Sequence, residues 1–150
     1  MKITSFADYA LRTLMYLSVH QAERCTAKEI ATFYNISLNH MVKVIHWLST
    51  EGYIQSVKGK GGGVRLHKKP EQINLRKIFV RLEPDMKLVE CFDRKNNACN
   101  IVPGCALKEI LKESLEAFLY TLGQYTLQDA IQNPKVFLKK DNSLDFICSQ

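Results

Sequence analysis

Two stretches of the chain repeat apolar residues at the three- and four-residue steps of an amphipathic helix. The first runs from Ser5 to His20, with apolar positions at Phe6, Tyr9, Ala10, Thr13, Leu14 and Leu17. The second keeps the period for about five turns, at Leu107, Ile110, Leu111, Leu115, Phe118, Leu119, Leu122 and Tyr125. A helix this long after a small domain most often packs against its own copy. We therefore expect a homodimer in which Leu115 and Leu122 face the partner; packing on its own domain is the alternative.

Residues 26–50 have the pattern of a helix-turn-helix. Thr26 with Glu29 predicts a capping box for a short helix, and Ser37 predicts the N-cap of a second helix that runs to about Thr50. Asn35, in the turn between them, tolerates a left-handed backbone. Two ordinary packed helices are the alternative. In a helix-turn-helix the start of the second helix enters the major groove, so the candidate DNA contacts are Ser37, Leu38, Asn39, His40 and Lys43.

The next segment predicts a wing, which is a pair of short strands joined by a basic turn. Tyr53, Ile54 and Val57 suggest one strand, and residues 64–66 suggest another; the sequence between them is KGKGGG. Glycines allow such a turn to bend tightly, and its cations would lie against DNA phosphates: Lys58, Lys60 and Arg65. A phosphate-binding nucleotide loop is the rival interpretation, but that loop opens a helix, and here a strand follows.

The remaining segments divide the chain further. Asn74 predicts the start of a helix that ends near Leu82, before Pro84. Residues 126–133 suggest a last short helix. We assign residues 1–83 to a winged helix-turn-helix domain, 84–106 to a cysteine loop, 107–133 to a dimerisation helix region and 134–150 to a mobile tail. The predicted fold class is mainly α with a small β-wing.

Charge is distributed unevenly along the 150 residues, whose net charge is +6. Residues 1–82 contain thirteen Lys and Arg against five Asp and Glu, whereas residues 83–150 contain eight against ten. A basic first half suits nucleic-acid binding by that half alone. No apolar run approaches membrane-spanning length, and the first residues lack a signal-peptide pattern. We expect a cytoplasmic protein that does not bind a membrane.

Three of the five cysteines stand close together, as Cys91, Cys99 and Cys105 with the spacing C-x7-C-x5-C. Asn, Pro and Gly between them predict an irregular loop, in which thiolates can converge on a soft metal centre such as an iron–sulfur cluster or zinc. Buried structural cysteines or a disulfide are the alternatives. A closed site normally needs four ligands, so the fourth comes from elsewhere or one position stays open. Cys25 and Cys148 look incidental.

Several motifs together resemble the winged-helix, iron–sulfur-dependent repressor family, over residues 1–133. They are ITSFADYALRTLMYL, SLNHMVKVIHWL, VKGKGGGVRL, LEPDMKLVEC, the three cysteines with PGCALK, and YTLQDAI. The LEP, NHMVK and PGCALK segments resemble the nitric-oxide-sensing branch. Another branch takes a fourth ligand from a histidine three residues after the last cysteine, where this chain has Lys108. The gap between Cys91 and Cys99 is longer than is usual in the nitric-oxide-sensing branch.

The resemblance implies a homodimeric repressor, not an enzyme, that binds a palindromic double-stranded operator. It implies an iron–sulfur cluster, 4Fe-4S in preference to 2Fe-2S, held by Cys91, Cys99 and Cys105. Asp8 matches a carboxylate that completes the cluster from the partner chain. Nitrosylation by nitric oxide would then cut the link between the subunits and release the operator.

Two other classes remain as alternatives. One is a thiol-redox or zinc-containing regulator on the same winged-helix scaffold. The other is an iron–sulfur protein that does not bind DNA, such as an electron carrier. The basic wing next to a helix-turn-helix disfavours the electron carrier, because electron transfer has no use for it.

Overall fold

A computed structural model describes residues 2–93 and 95–138 of the chain. The described residues form five α-helices: α1 (Ser5–Val19), α2 (Ala27–Phe33), α3 (Leu38–Thr50), α4 (Leu75–Leu82) and α5 (Ala106–Gly123). Two strands, β1 (Ile54–Val57) and β2 (Gly63–Leu66), lie between α3 and α4. Short 3-10 helices lie at Pro70–Gln72, Glu90–Phe92, Val102–Gly104 and Pro134–Phe137. The predicted fold class, mainly α with a small β-wing, is confirmed.

Local hydrogen bonds explain why three helices begin where the sequence predicts. The Thr26 hydroxyl accepts from Glu29 N–H, and the Glu29 carboxylate accepts from Thr26 N–H at 2.6 Å, which completes the capping box. Ser37 Oγ accepts from the N–H of His40, and Asn74 Oδ1 accepts from the N–H of Lys77. Each cap satisfies a backbone donor that has no partner within its helix.

The core of the helix-turn-helix half forms where α1, α2 and α3 meet. Its fully buried side chains include Leu14, Leu17, Ile30, Met41, Val44 and Leu48. The buried Thr13 hydroxyl donates to Tyr9 O at 2.7 Å and lies 3.3 Å from Met41 Sδ. Asn35 adopts the expected left-handed conformation, with φ 53°, in the turn between α2 and α3. Helices α1 and α3 share this core, so the packing of α1 contributes to the position of α3.

The two strands pair antiparallel, from Ile54 opposite Leu66 to Val57 opposite Gly63. Gly62 is required in their turn, because a Cβ there would overlap the carbonyl oxygen of Val57. Cys25, which the sequence suggested is incidental, is part of the wing. It is buried, and its backbone pairs with Val64 through hydrogen bonds of 3.0 and 2.8 Å. This bridge attaches the wing to the segment between α1 and α2.

Helix α5 packs part of its apolar surface against its own chain. Leu119 is buried, and the Phe118 ring lies edge-on to Phe79 of α4 with centroids 5.3 Å apart. Leu115 lines a cavity together with Phe79 and Phe118. Leu115 is only partly buried, so its contact with a partner subunit stays a prediction. The apolar period of α5 has two faces, and the inner one is used within the chain.

The segment after α5 differs from the prediction. Residues 126–133 form turns and not a helix, because Leu127 is drawn into the core by its N–H bond to Ile73 O and Thr126 pairs with Asn74. Residues 134–138 do not belong to a free tail, since Phe137 is buried and stacks on Phe33. Residues 139–150, with Cys148, lie outside the described residues. Within the described residues, no helix is both long and apolar enough to cross a membrane.

Candidate nucleic-acid interface and candidate metal centre

The outward face of α3 carries the residues that the sequence predicts at the DNA. The helix turns its buried residues Met41, Val44, Ile45 and Leu48 toward the core. Its opposite face is open to solvent, and the exposed residues at its start are Leu38, Asn39, His40 and Lys43, with the capping residue Ser37 beside them. The structure therefore places all the DNA contacts predicted for the start of α3 on one accessible surface.

Val42 belongs to the same surface but was not predicted. Its side chain is 51 % exposed and lies one helical turn after Leu38, which is 46 % exposed. An apolar side chain at this place suits contact with a thymine methyl group in the major groove. The helical period offered a signal for Val42, since positions four residues apart share a face.

The wing presents unpaired positive charge. Lys58 and Lys60 are exposed in the turn between the strands. The Arg65 guanidinium donates to Gln55 Oε1 on the neighbouring strand at 3.2 and 3.3 Å, which orients it across the sheet. In the described part of the chain, no ion pair involves Lys58, Lys60 or Arg65. These cations are therefore free to meet phosphates.

Arg24 adds a cation to the wing that sequence reasoning missed. Its Nη1 donates to the carbonyl oxygen of Gly61 at 3.5 Å, although the two residues are far apart in sequence. The neighbouring Cys25–Val64 bridge explains the approach, because it holds this segment beside β2. Only the fold reveals that Arg24 lies at the turn.

The three loop cysteines are half-buried free thiols. Cys91 lies in the 3-10 helix Glu90–Phe92, Cys99 follows a turn closed by Asn97, and Cys105 immediately precedes α5. Within residues 2–93 and 95–138, no three His, Cys, Asp or Glu side chains stand close enough to hold a metal ion. One chain alone therefore does not assemble the predicted set of Cys91, Cys99, Cys105 and Asp8.

The chemistry of these donors nevertheless fits an iron–sulfur cluster. Thiolates are the usual ligands of such clusters, and all three thiols remain unbridged and partly accessible. Cys105 occupies the N-cap position of α5, where its side chain makes no capping hydrogen bond. The positive end of a helix favours an anionic group at that position.

Cys25 is chemically different from the loop cysteines. Burial, with smaller contributions from Glu29 and Glu23, raises the pKa of its thiol to about 11. It therefore remains protonated at neutral pH, and the protonated thiol is a poor metal ligand. Its role in the wing is structural.

Asp8 lies on α1 and is paired within its own chain. Its Oδ1 is 2.9 Å from Arg12 Nε, and about a third of its side chain is exposed. Arg12 also stands over the ring of Tyr34 at 5.8 Å, and the Tyr34 hydroxyl donates to Arg12 O at 3.0 Å. The carboxylate thus has a local partner, which any metal bound there would have to replace.

The fold and this arrangement define a winged helix-turn-helix regulator with a thiol-bearing loop. The sequence profile of the Rrf2 family, described as "Iron-dependent Transcriptional regulator", matches residues 3–133. The chain therefore belongs to the Rrf2 family. This membership confirms the expected class, a DNA-binding regulator of transcription and not an enzyme.

Individual relatives agree with the family. The chain is 43 % identical over 140 residues to the HTH-type transcriptional regulator NsrR of Bacillus subtilis, covering 93 % of this chain and 96 % of that protein. It is 45 % identical over 134 residues to NsrR of Bacillus licheniformis, covering 89 % and 94 %. The structure of CymR, the global cysteine regulator of B. subtilis, shares the fold with a TM-score of 0.68 at 21 % identity, covering 87 % and 95 %. The resemblance expected from the sequence motifs is confirmed.

The wing assignment predicts a change in salt dependence. Lys58→Ala or Lys60→Ala should weaken binding to all DNA sequences alike, because phosphate contacts carry no base information. The slope of log affinity against log salt should flatten by about 1. Lys112→Ala, which removes an exposed charge from α5, is the matched control and should leave the slope unchanged. An unaltered slope in both wing variants would show that the wing does not contact phosphates.

Proposed function

We propose that this chain is a homodimeric transcriptional repressor that senses nitric oxide through an iron–sulfur cluster and then releases its operator. The observation that carries the proposal is the set of three free thiols in the loop between α4 and α5. The match to relatives named NsrR supports it. Free thiols also fit the reducing cytoplasm, where we place the protein.

Cys91, Cys99 and Cys105 would hold the cluster, and 4Fe-4S is the type we favour. When bound, the cluster supplies iron that reacts with nitric oxide. We assign the fourth position to Asp8 of the second subunit, because Asp8 matches the carboxylate that completes the cluster from the partner chain in the nitric-oxide-sensing branch. A carboxylate oxygen is a harder and weaker ligand for such iron than a thiolate. Asp8 would therefore be the most easily displaced ligand, and once displaced it would regain its ion pair with Arg12.

Helix α1 would transmit this change to the DNA. It carries Asp8 near one end and packs along α3, where the Thr13 hydroxyl lies 3.3 Å from Met41 Sδ. The Tyr9 ring also lies against His40 on the DNA-facing side of α3, with centroids 6.3 Å apart. A palindromic operator requires two recognition helices about 34–36 Å apart. Loss of the link to Asp8 would free α1, and the spacing of the two α3 helices would then no longer be fixed.

The outer face of α5 is the surface that we assign to the dimer. Leu107 and Ile110 are 61 % and 57 % exposed, and Ser114, Ala117 and Thr121 continue the same face at helical spacing. These three residues are small, so a second helix can approach closely. The hydroxyls of Ser114 and Thr121 donate to carbonyl oxygens of their own helix at 2.8 and 3.0 Å. The face therefore leaves no side-chain donor unsatisfied when water is excluded.

A thiol-redox or zinc-containing regulator is the second candidate, because the three loop thiols are partly exposed and open to oxidation or zinc. Iron and sulfide analysis of anaerobically purified protein separates the candidates. Equal amounts of both elements support the cluster, whereas zinc without sulfide supports the alternative. Loss of DNA binding when the iron-free protein is treated with mild peroxide would also favour the alternative.

The ligand assignment predicts different effects for cysteine and aspartate variants. Cys91→Ala, Cys99→Ala or Cys105→Ala should each abolish the visible absorption of the cluster, because two thiolates do not replace three. Asp8→Ala should retain iron, with water in the vacated position, but weaken operator binding at least about tenfold, or 1.4 kcal/mol. Cys25→Ala, a buried thiol outside the loop, is the control for absorption. Asp8→Ala protein that binds the operator like wild type would rule out Asp8 as the link.

The dimer assignment predicts monomers when charge is placed on the outer face of α5. The double variant Ile110→Glu and Ala117→Glu should sediment as a monomer, because burial of two unpaired carboxylates is costly. Lys112→Glu introduces the same group on the opposite side of the helix and should remain a dimer. If the double variant still sediments as a dimer, the dimer interface is not on this face of α5.

A further inference from the structure

The gap between Cys91 and Cys99 poses a geometric problem for a shared metal centre. Seven residues separate the two cysteines, and an extended segment of that length spans roughly 25 Å. Thiolates that bind one cluster must instead converge. The segment between Cys91 and Cys99 must therefore fold back on itself. A hydrophobic core does not fold it, because no described residue from 84 to 105 is buried.

Asp93 is the polar centre of this gap. Its backbone N–H donates to Glu90 O at 2.9 Å, which closes the 3-10 helix that contains Cys91. Its Oδ1 accepts from the backbone N–H of Lys95 at 2.9 Å, and its Oδ2 accepts from Asn96 Nδ2 at 3.3 Å. One residue thus ties the turn of Cys91 to the segment that leads toward Cys99.

A second turn of the same kind follows. Asn97 Oδ1 accepts from the backbone N–H of Cys99 at 3.0 Å. Both turns use a side-chain oxygen that bonds to the N–H two residues later, which is the pattern by which Asp and Asn form local turns. Two such turns in succession bend the chain between the cysteines.

Lys87 links this folded gap to the start of the cysteine loop, next to the end of α4. Its Nζ lies 2.9 Å from Asp93 Oδ2, and the Lys87 side chain lines the cavity between α4 and α5 beside Phe79 and Phe118. Asp85 also approaches Lys87, but at 3.6 Å, and its side chain is 68 % exposed against 18 % for Asp93. Asp93 is the better-placed partner of the two.

We propose that Asp93 is a positioning residue that folds the Cys91–Cys99 gap and so limits the conformations from which these two thiols approach one metal centre. This inference rests on the proposed cluster, because it assigns the three cysteines to one centre. Asp93 itself need not touch the metal. Its contribution is to lower the entropy that the loop must lose when its thiolates bind.

Cobalt(II) is the probe that tests this assignment without a cluster. Thiolates that bind Co²⁺ together give charge-transfer absorption, so titration of the full-length, metal-free, reduced protein reports how well they converge. Asp93→Ala should weaken Co²⁺ binding about tenfold or more, a loss typical of residues that support metal ligands. Asp93→Asn retains the oxygen that accepts from Lys95 N–H and should recover part of the affinity. Asp85→Asn, which removes a carboxylate near the same lysine, should bind Co²⁺ like wild type.

The outcomes separate this inference from the proposed function. The inference fails if Asp93→Ala binds Co²⁺ as tightly as wild type, or if Asp85→Asn weakens binding equally. It also fails if the wild-type chain gives no thiolate absorption with Co²⁺. Iron and sulfide analysis of the wild-type protein tests the cluster independently, since a zinc-containing protein would still show the Asp93 effect. Thermal unfolding of Asp93→Ala near the wild-type midpoint confirms that the folded domain is intact.

Discussion

The cysteine loop has no hydrophobic core of its own, and this constraint governs how the protein can work. No described residue from 84 to 105 is buried, whereas α1, α2 and α3 share a continuous core. A segment whose apolar side chains are at most partly buried gains little free energy from any single conformation. Its shape therefore depends on local hydrogen bonds and on whatever its thiols bind. A ligand change at the thiols can reorganise this loop without unfolding the DNA-binding half.

Helix α1 connects the loop to the DNA-binding surface. The N–H of Thr4, its N-cap, donates to Glu83 Oε1 at 2.6 Å, so the start of α1 is held where α4 ends and the loop begins. Along its length α1 packs on α3. Helix α1, which carries Asp8, thus also forms one side of the core that positions α3. Through this arrangement, the ligand role proposed for Asp8 would influence DNA binding.

Local features were predictable from sequence because their causes are local. Thr26, Ser37 and Asn74 cap their helices with bonds to residues three positions away, and Asn35 takes the left-handed conformation that its short turn requires. The exposed residues of α3 followed from the helical period. The wing followed from its glycines and its two short apolar runs.

Features that depend on long-range contacts were not predictable. Nothing near Cys25 in sequence indicates its pairing with Val64, and nothing near Phe137 indicates its stacking on Phe33. The period of α5 predicted one apolar stripe, but Leu119 packs inward while Ile110 faces outward. Asp93 has the composition of an ordinary loop residue, and only its three side-chain partners distinguish it. The site proposed to be shared between two chains would likewise leave no signal in the pattern of one chain.

The most direct test of the central claim is an anaerobic titration of the cluster-loaded protein with nitric oxide, in which operator affinity and visible absorption are followed in the same samples. The account predicts that operator affinity falls in step with bleaching of the cluster, to the level of the metal-free protein. Operator binding that persists after complete nitrosylation would contradict it, as would equal affinity of the loaded and metal-free forms before nitric oxide is added.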